Sequence, residues 1–245
     1  MNDLLLVLAF AAMPALGNIA GGLLAELFRP SRRALNLALH AAAGIVIAVV
    51  AVELMPRAVE TDPPWVIVLS FFFGGVFYVA VRWAVERLQG RYGGGGEAGP
   101  YVIFFGVSVD LFSDGILIGT GSTISVGLGL LLALGQVPAD VPEGYAAIAD
   151  FRRAGTPRRR RLLLSAAFVV PIFLGATIGY LGMRGQPELY QLILLTFTAG
   201  ILTTLVVEEL VPEAHEALES GEGRLAPIFF VGGFALFALI SRYLG

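Results

Sequence analysis

Two stretches of this 245-residue chain read as copies of one another: AGIVIAVVAVELMPRAVE at 43–60 and AGILTTLVVEELVPEAHE at 199–216. Aligned without gaps they share nine of eighteen positions, among them Gly44/Gly200, Glu53/Glu209 and Pro56/Pro212. Apolar residues match cheaply; a shared Glu-Leu-x-Pro at equal distance from a shared glycine does not. Each copy lies in an apolar run of the length that crosses a bilayer, about 20 residues.

Outward from these copies the whole chain has the same character. Apolar residues make up 57% of it and charged residues 14%, against roughly 25% charged in a soluble domain. Mean hydropathy is +0.81. This composition excludes a soluble enzyme, a nucleic-acid binder and a disordered chain. The net charge of −3 sets up no field for a polyanionic partner. There is no cysteine, hence no disulfide and no thiolate metal ligand, and every basic residue other than the two histidines is arginine.

Eight apolar runs are predicted as transmembrane helices, at 4–28, 37–55, 65–86, 101–121, 124–150, 162–183, 190–211 and 225–243. The expected fold is therefore all-α, one integral membrane domain over 1–245. The first run begins with Asn2-Asp3 rather than basic residues and is too long for a signal peptide, so it reads as a true span. The stretch 87–100, with Gly93 to Gly96 at its centre, reads as a flexible cytoplasmic linker.

Arginine sets the orientation. Arg29, Arg32, Arg33, Arg82, Arg87, Arg91, Arg152, Arg153, Arg158 to Arg161 and Arg224 fall on one side, thirteen against three (Arg57, Arg184, Arg242). The positive-inside rule then puts both termini outside, on the periplasmic or extracellular face of a cell (inner) membrane. With that topology the first copy ends at the outer face and the second at the inner face. Two copies running through the bilayer in opposite directions are the mark of an inverted-repeat transporter. A second pair, DLFSDG at 110–115 and ADVPEG at 139–144, sits in the fourth and fifth spans. The layout is three helices, a central pair, then three helices.

Glu53, Asp110, Asp114, Asp140, Glu143, Glu208 and Glu209 all fall inside these spans. Each costs about 2.5–3.5 kcal/mol to insert near the bilayer centre. No arginine is expected at matching depth, which leaves water, protons or an external cation to satisfy them. Asp110 and Asp114 are spaced i, i+4 on one helix face. Asp140 and Glu143 are spaced i, i+3, and Pro142 between them removes a backbone donor and frees a carbonyl. Gly115 and Gly144 permit close helix approach. Carboxylates converging between two helices repel unless a cation joins them, and oxygen ligands suit hard or borderline dications. Glu53 and Glu208 read equally as pathway acids or as near-interface acids without a binding role. Asp150 and Glu26 are expected in water at span ends, and His40 and His215 as helix-end histidines rather than ligands. Ser108, Ser113 and Thr120 read as packing hydroxyls.

The motifs around these acids resemble those of the ZIP metal-transporter family. Ser-Asp-Gly-Ile-Leu-Ile-Gly (113–119) is similar to its fourth-helix pattern H-N-x-P-[DE]-G-x-A-x-G. Val-Pro-Glu-Gly-Tyr-Ala-Ala (141–147), followed by Arg153-Ala-Gly155, resembles its fifth-helix pattern, and Glu208-Glu209-Leu-Val-Pro-Glu213 its seventh helix. Over essentially the whole chain the similarity is to the short bacterial GufA-like branch. The resemblance implies divalent metal moving towards the cytoplasm through a site between helices 4 and 5. It also implies helices 1, 4, 5 and 6 as a transport unit moving against a scaffold of 2, 3, 7 and 8, and it points to a homodimer in membrane lipid.

Carried over by motif, Asp114 and Glu143 match the bridging carboxylates and Asp140 a fifth-helix ligand; Glu209, Glu208, Glu53 and Asp150 are not carried over this way and stand as candidate pathway or supporting acids. The departures are Asp110 for histidine, Leu111 for asparagine, Ala139 for the first fifth-helix ligand and Val170 for glutamate before Pro171. They imply that a second metal position is lost and that Asp110, Asp114 and Glu143 hold one ion. The substrate is then zinc, manganese, iron(II) or cadmium, with no tightly bound cofactor and no enzymatic activity. Two rivals stand beside this: a metal-sensing or scaffold relative without transport, and an intramembrane aspartyl protease using two neighbouring acids. The absence of a Gly-x-Gly run before Asp110 and the surplus of acids argue against the protease.

Overall fold

The structure, a computed structural model, describes residues 3–28, 32–92, 99–216 and 225–244. All regular structure among them is helical: α1 (Asp3–Leu27), α2 (Arg32–Ala48), α3 (Met55–Val59), α4 (Pro64–Tyr92), α5 (Gly99–Ile124), α6 (Val126–Arg153), α7 (Arg158–Ala167), α8 (Val169–Met183), α9 (Glu188–Leu205), α10 (Val211–Glu216) and α11 (Ala226–Leu244). Seven stretches are long and apolar enough to cross a membrane: Asp3–Leu27, Arg33–Val59, Pro64–Arg87, Ile103–Ile124, Arg158–Met183, Glu188–Leu210 and Ala226–Leu244. The expected fifth span forms as α6, at 28 residues long enough to cross. It is not among the seven, and Gln136, Pro138, Asp140, Pro142 and Glu143 dilute its apolar character.

Several boundaries move. Helix α4 runs on through Tyr92 and α5 begins at Gly99, so 87–92 and 99–100 of the expected linker are helical, and 93–98 lie outside the described residues. Arg29 and Arg224 lie outside them too. The expected sixth span breaks at Phe168 between α7 and α8, where Pro171 cannot donate to the carbonyl one turn back.

The two sequence copies share a backbone irregularity. Between α2 and α3, and again between α9 and α10, the helix widens to π turns at Val49–Leu54 and Val206–Leu210. Each widening closes with the same bond, from the Met55 amide to the Val50 carbonyl and from the Val211 amide to the Val206 carbonyl. These are equivalent positions in the two copies, each directly before its proline. A wide turn is one way for a helix to absorb the donor that proline lacks.

Packing divides the helices into two groups. Helix α6 packs along α1 and α5 along α8; α11 packs along α2 and α4 along α9. Glycines set the close approaches: a β-carbon at Gly144 would land on the Asn18 carbonyl, at Gly115 on the Ile172 carbonyl, at Gly44 on the Phe230 carbonyl and at Gly200 on the Phe71 carbonyl. One buried cluster joins Val7, Ala11, Leu111, Ala147, Phe151, Phe168 and Ile172, all from α1, α5, α6 and α8 or the turn beside it. A larger one is built mostly from α2, α4, α9 and α11, with Leu117, Leu128 and Leu132 bridging from the central pair.

At the arginine-rich end Glu26 is not in water. Its side chain is buried and meets Arg161 at 2.7 Å, Arg158 at 3.4 Å and Arg152 at 3.8 Å, tying α1 to α6 and α7. The correction has a plain cause, since a carboxylate at a crowded helix end can be buried where several arginines converge. The glycine contacts lead to a test of the packing. Gly144→Ala should cost about 1–3 kcal/mol, because backbone must shift to admit the methyl group. Gly232→Ala, where nothing lies within 4 Å, should be near neutral; thermal unfolding midpoints in detergent compare the two.

Candidate metal pathway

A cavity of about 310 Å³ opens between α4 and α9 on one side and α5 and α6 on the other. Asp110, Glu143, Asp150 and Glu209 line it, together with Tyr78, Arg82 and Glu86. Apart from Tyr78 and Ser113 at mid-helix, the lining residues lie in the half of each helix nearest the arginine-rich end, so the cavity opens towards that end. Glu86 and Asp150 are half-exposed at its mouth, where Asp150 pairs with Arg153 at 3.0 Å.

The four acids of the central pair lie together, on two levels. Asp110 and Glu143 face the cavity, whereas Asp114 and Asp140 are 3% and 1% exposed and lie behind it. Asp110 and Asp140 both neighbour Glu143, and Asp114 has Asp110 and Asp140 as charged neighbours. Among the described residues no three histidine, aspartate or glutamate side chains are close enough to hold a metal ion as they stand. Both carboxylate oxygens of Asp140 and Oδ1 of Asp110 are buried without a hydrogen-bond partner. A buried carboxylate left so bare is costly unless a proton, water or cation completes it.

Two amides supply what little donation there is. Gln136 on α6 donates through Nε2 to Asp114 Oδ1, and Asn18 on α1 donates through Nδ2 to Glu143 Oε2 at 3.4 Å. Both are at most 1% exposed, and Asn18 reaches Glu143 because Gly144 lets α6 lie against its backbone. Neither is among the sequence-derived site residues. The signal was a carboxamide in an otherwise apolar run.

Other acids are spent elsewhere. Glu208 is exposed and pairs with Arg82 at 3.2 Å, and Arg82 also donates to the Glu208 carbonyl at 2.6 Å. The expectation that no arginine matches these acids in depth therefore fails at this position. Arg82 lies inside α4, whose helix runs past the expected turn. Glu53, 5% exposed, accepts from Ser241 on α11 and does not line the cavity. Of the departures from the family pattern, Leu111 is fully buried in the core, Val170 faces outward at 57% exposure and Ala139 packs on the larger cluster.

Residues 89–241 match the family described as ZIP zinc transporter. The chain belongs to the ZIP zinc transporter family. It is thereby a multi-pass membrane protein of a divalent-metal transporter family, whose members are transporters and not enzymes. No curated protein matches the chain.

The chain lacks cysteine, so single cysteines report water access to the cavity cleanly. Asp150→Cys, Glu209→Cys and Asp110→Cys should react with a soluble maleimide at least about tenfold faster than Asp140→Cys, because thiol reactivity follows exposure. Equal rates at all four positions would remove the distinction between cavity-facing and sealed acids.

Proposed function

We propose that the chain carries divalent cations towards the cytoplasm through the carboxylates of Asp110, Asp114, Asp140 and Glu143. The observation behind this is the acid-lined cavity, which runs from the arginine-rich end to Asp110 and Glu143 and nowhere meets a lysine or arginine deeper than Arg82. By the positive-inside rule that end is cytoplasmic, both termini lie outside, and α6 completes a set of eight spans. The cavity is then an inward-facing route, with Glu209 and Asp150 along it and Glu208, held by Arg82, at its rim.

The 3+2+3 inverted repeat is supported by three things: the copied sequences, the π turns in equal register, and the packing partners. Exchanging the first three helices with the last three turns the α1–α6 pair into α8–α5, and α2–α11 into α9–α4. The group built on α1, α5, α6, α7 and α8 is the transport unit, and α2, α3, α4, α9, α10 and α11 form the scaffold. The acid-lined cavity lies on their shared boundary. Bringing Asp114 and Asp140 into the same shell as Asp110 and Glu143 is the work left for the cation, which relieves the mutual repulsion of the four.

An all-oxygen site discriminates less for zinc over manganese and other hard dications, since imidazole and thiolate are what favour zinc, so manganese is at least as good a candidate substrate as zinc. Uptake of zinc, manganese, iron(II), cobalt, cadmium and magnesium into proteoliposomes tests this, with Glu143→Ala as control. The expected result is uptake that includes manganese and is lost in Glu143→Ala. Binding without flux for any metal would instead mark a sensor. Uptake should also fall steeply as the pH is lowered towards about 5, because a carboxylate must shed its proton before it can take a cation.

A further inference from the structure

The chain contains two histidines, and the fold brings their rings together at a tilt. His40 on α2 and His215 on α10 have ring centres 5.1 Å apart and planes inclined at 58°. Each ring is anchored by the same bond to the carbonyl one turn back: His40 Nδ1 lies 2.9 Å from the Asn36 oxygen, and His215 Nδ1 lies 2.7 Å from the Val211 oxygen. A carbonyl has no proton to give, so in both rings Nδ1 carries the hydrogen and Nε2 keeps the lone pair. No described residue bonds to either Nε2.

That is the state in which imidazole ligates a metal: one nitrogen tied through N–H to a carbonyl, which fixes tautomer and ring, and the other free. The spacing agrees. Zinc–nitrogen bonds of about 2.0–2.1 Å, about 1.1 Å from nitrogen to ring centre and a tetrahedral angle place two imidazole centres about 5.2 Å apart. The backbones are also held in place, since Asn36 donates from Nδ2 to the Ala214 carbonyl at 2.6 Å and so clips α2 to α10 beside the rings. His40 is 5% exposed, while His215 is open to solvent and gives an ion its way in. Neither histidine lines the acid cavity.

We infer that His40 and His215 form a second metal site, a two-nitrogen clamp for a borderline transition dication such as zinc, with water filling the remaining positions. Its chemistry is opposite to that of the carboxylates: imidazole suits zinc, copper and nickel, and neglects magnesium. An ion bound there staples α2 to α10, the two arms that carry the repeated sequence. It stands apart from the transport proposal and holds whether or not metal crosses the membrane.

With two histidines in the chain, selective ¹⁵N-histidine labelling of the full protein in detergent gives two imidazole spin systems. On titration with zinc both Nε2 resonances should shift together and saturate together, magnesium should shift neither, and the response should persist in Glu143→Ala. In His40→Ala the affinity read at His215 should fall at least tenfold. No movement of the His40 Nε2 signal with zinc in the unsubstituted protein would overturn the assignment without recourse to any variant. So would a His215 signal that responds alone, or with unchanged affinity in His40→Ala.

Discussion

A carboxylate in a bilayer must be given a partner, and this chain brings almost none to its own. It has no lysine, and most of its arginines gather at one end, where Glu26 draws three of them and Arg82 reaches only as far as Glu208. The acids of α5 and α6 are left with two neutral amides and a cavity. Oxygens without donors, held together by neighbouring helices, have a free-energy incentive to take up a cation and nothing of the chain's own to compete for the place. The packing around them serves that arrangement. Gly144 and Gly115 let α6 and α5 lie against α1 and α8 closely enough for amide and carboxylate to meet.

The helical character of the apolar runs and the placement of the central acids on α5 and α6 were legible in the sequence because each rests on local pattern: apolar runs of fixed length, or spacings of three and four. The repeat was legible for the same reason, and its echo in the π turns follows from proline at equivalent places. What stayed hidden depends on residues far apart in the chain. Nothing local says that Asn18 will meet Glu143, that Gln136 will meet Asp114, or that Arg82 lies deep enough to pair with Glu208. Glu26 was misread because exposure was inferred from its place at the end of a run, whereas three arginines from two later helices close over it.

The departures from the family pattern have separate physical outcomes. A leucine at 111 joins the core between α1, α6 and α8; a valine at 170 turns to the outside of the bundle; and Asp110 faces the cavity. Nitrogen ligands thus leave the central pair altogether, and the chain's whole supply of imidazole stands instead between α2 and α10. Carboxylate oxygens and imidazole nitrogens are segregated in space, each group uniform in kind.

The paired wide turns have one more consequence. In an uninterrupted α-helix, adding a single residue rotates everything beyond it by about 100°. A π turn takes up that extra residue locally, so the faces before and after it keep headings that an ideal helix could not join. Each of these two helices is therefore two cylinders with a fixed angular offset, Gly44 or Gly200 indexed on one and the proline on the other. Deleting one residue from 50–54 or from 206–210 would leave a better helix and a worse protein, because one end would have to turn away from its neighbour.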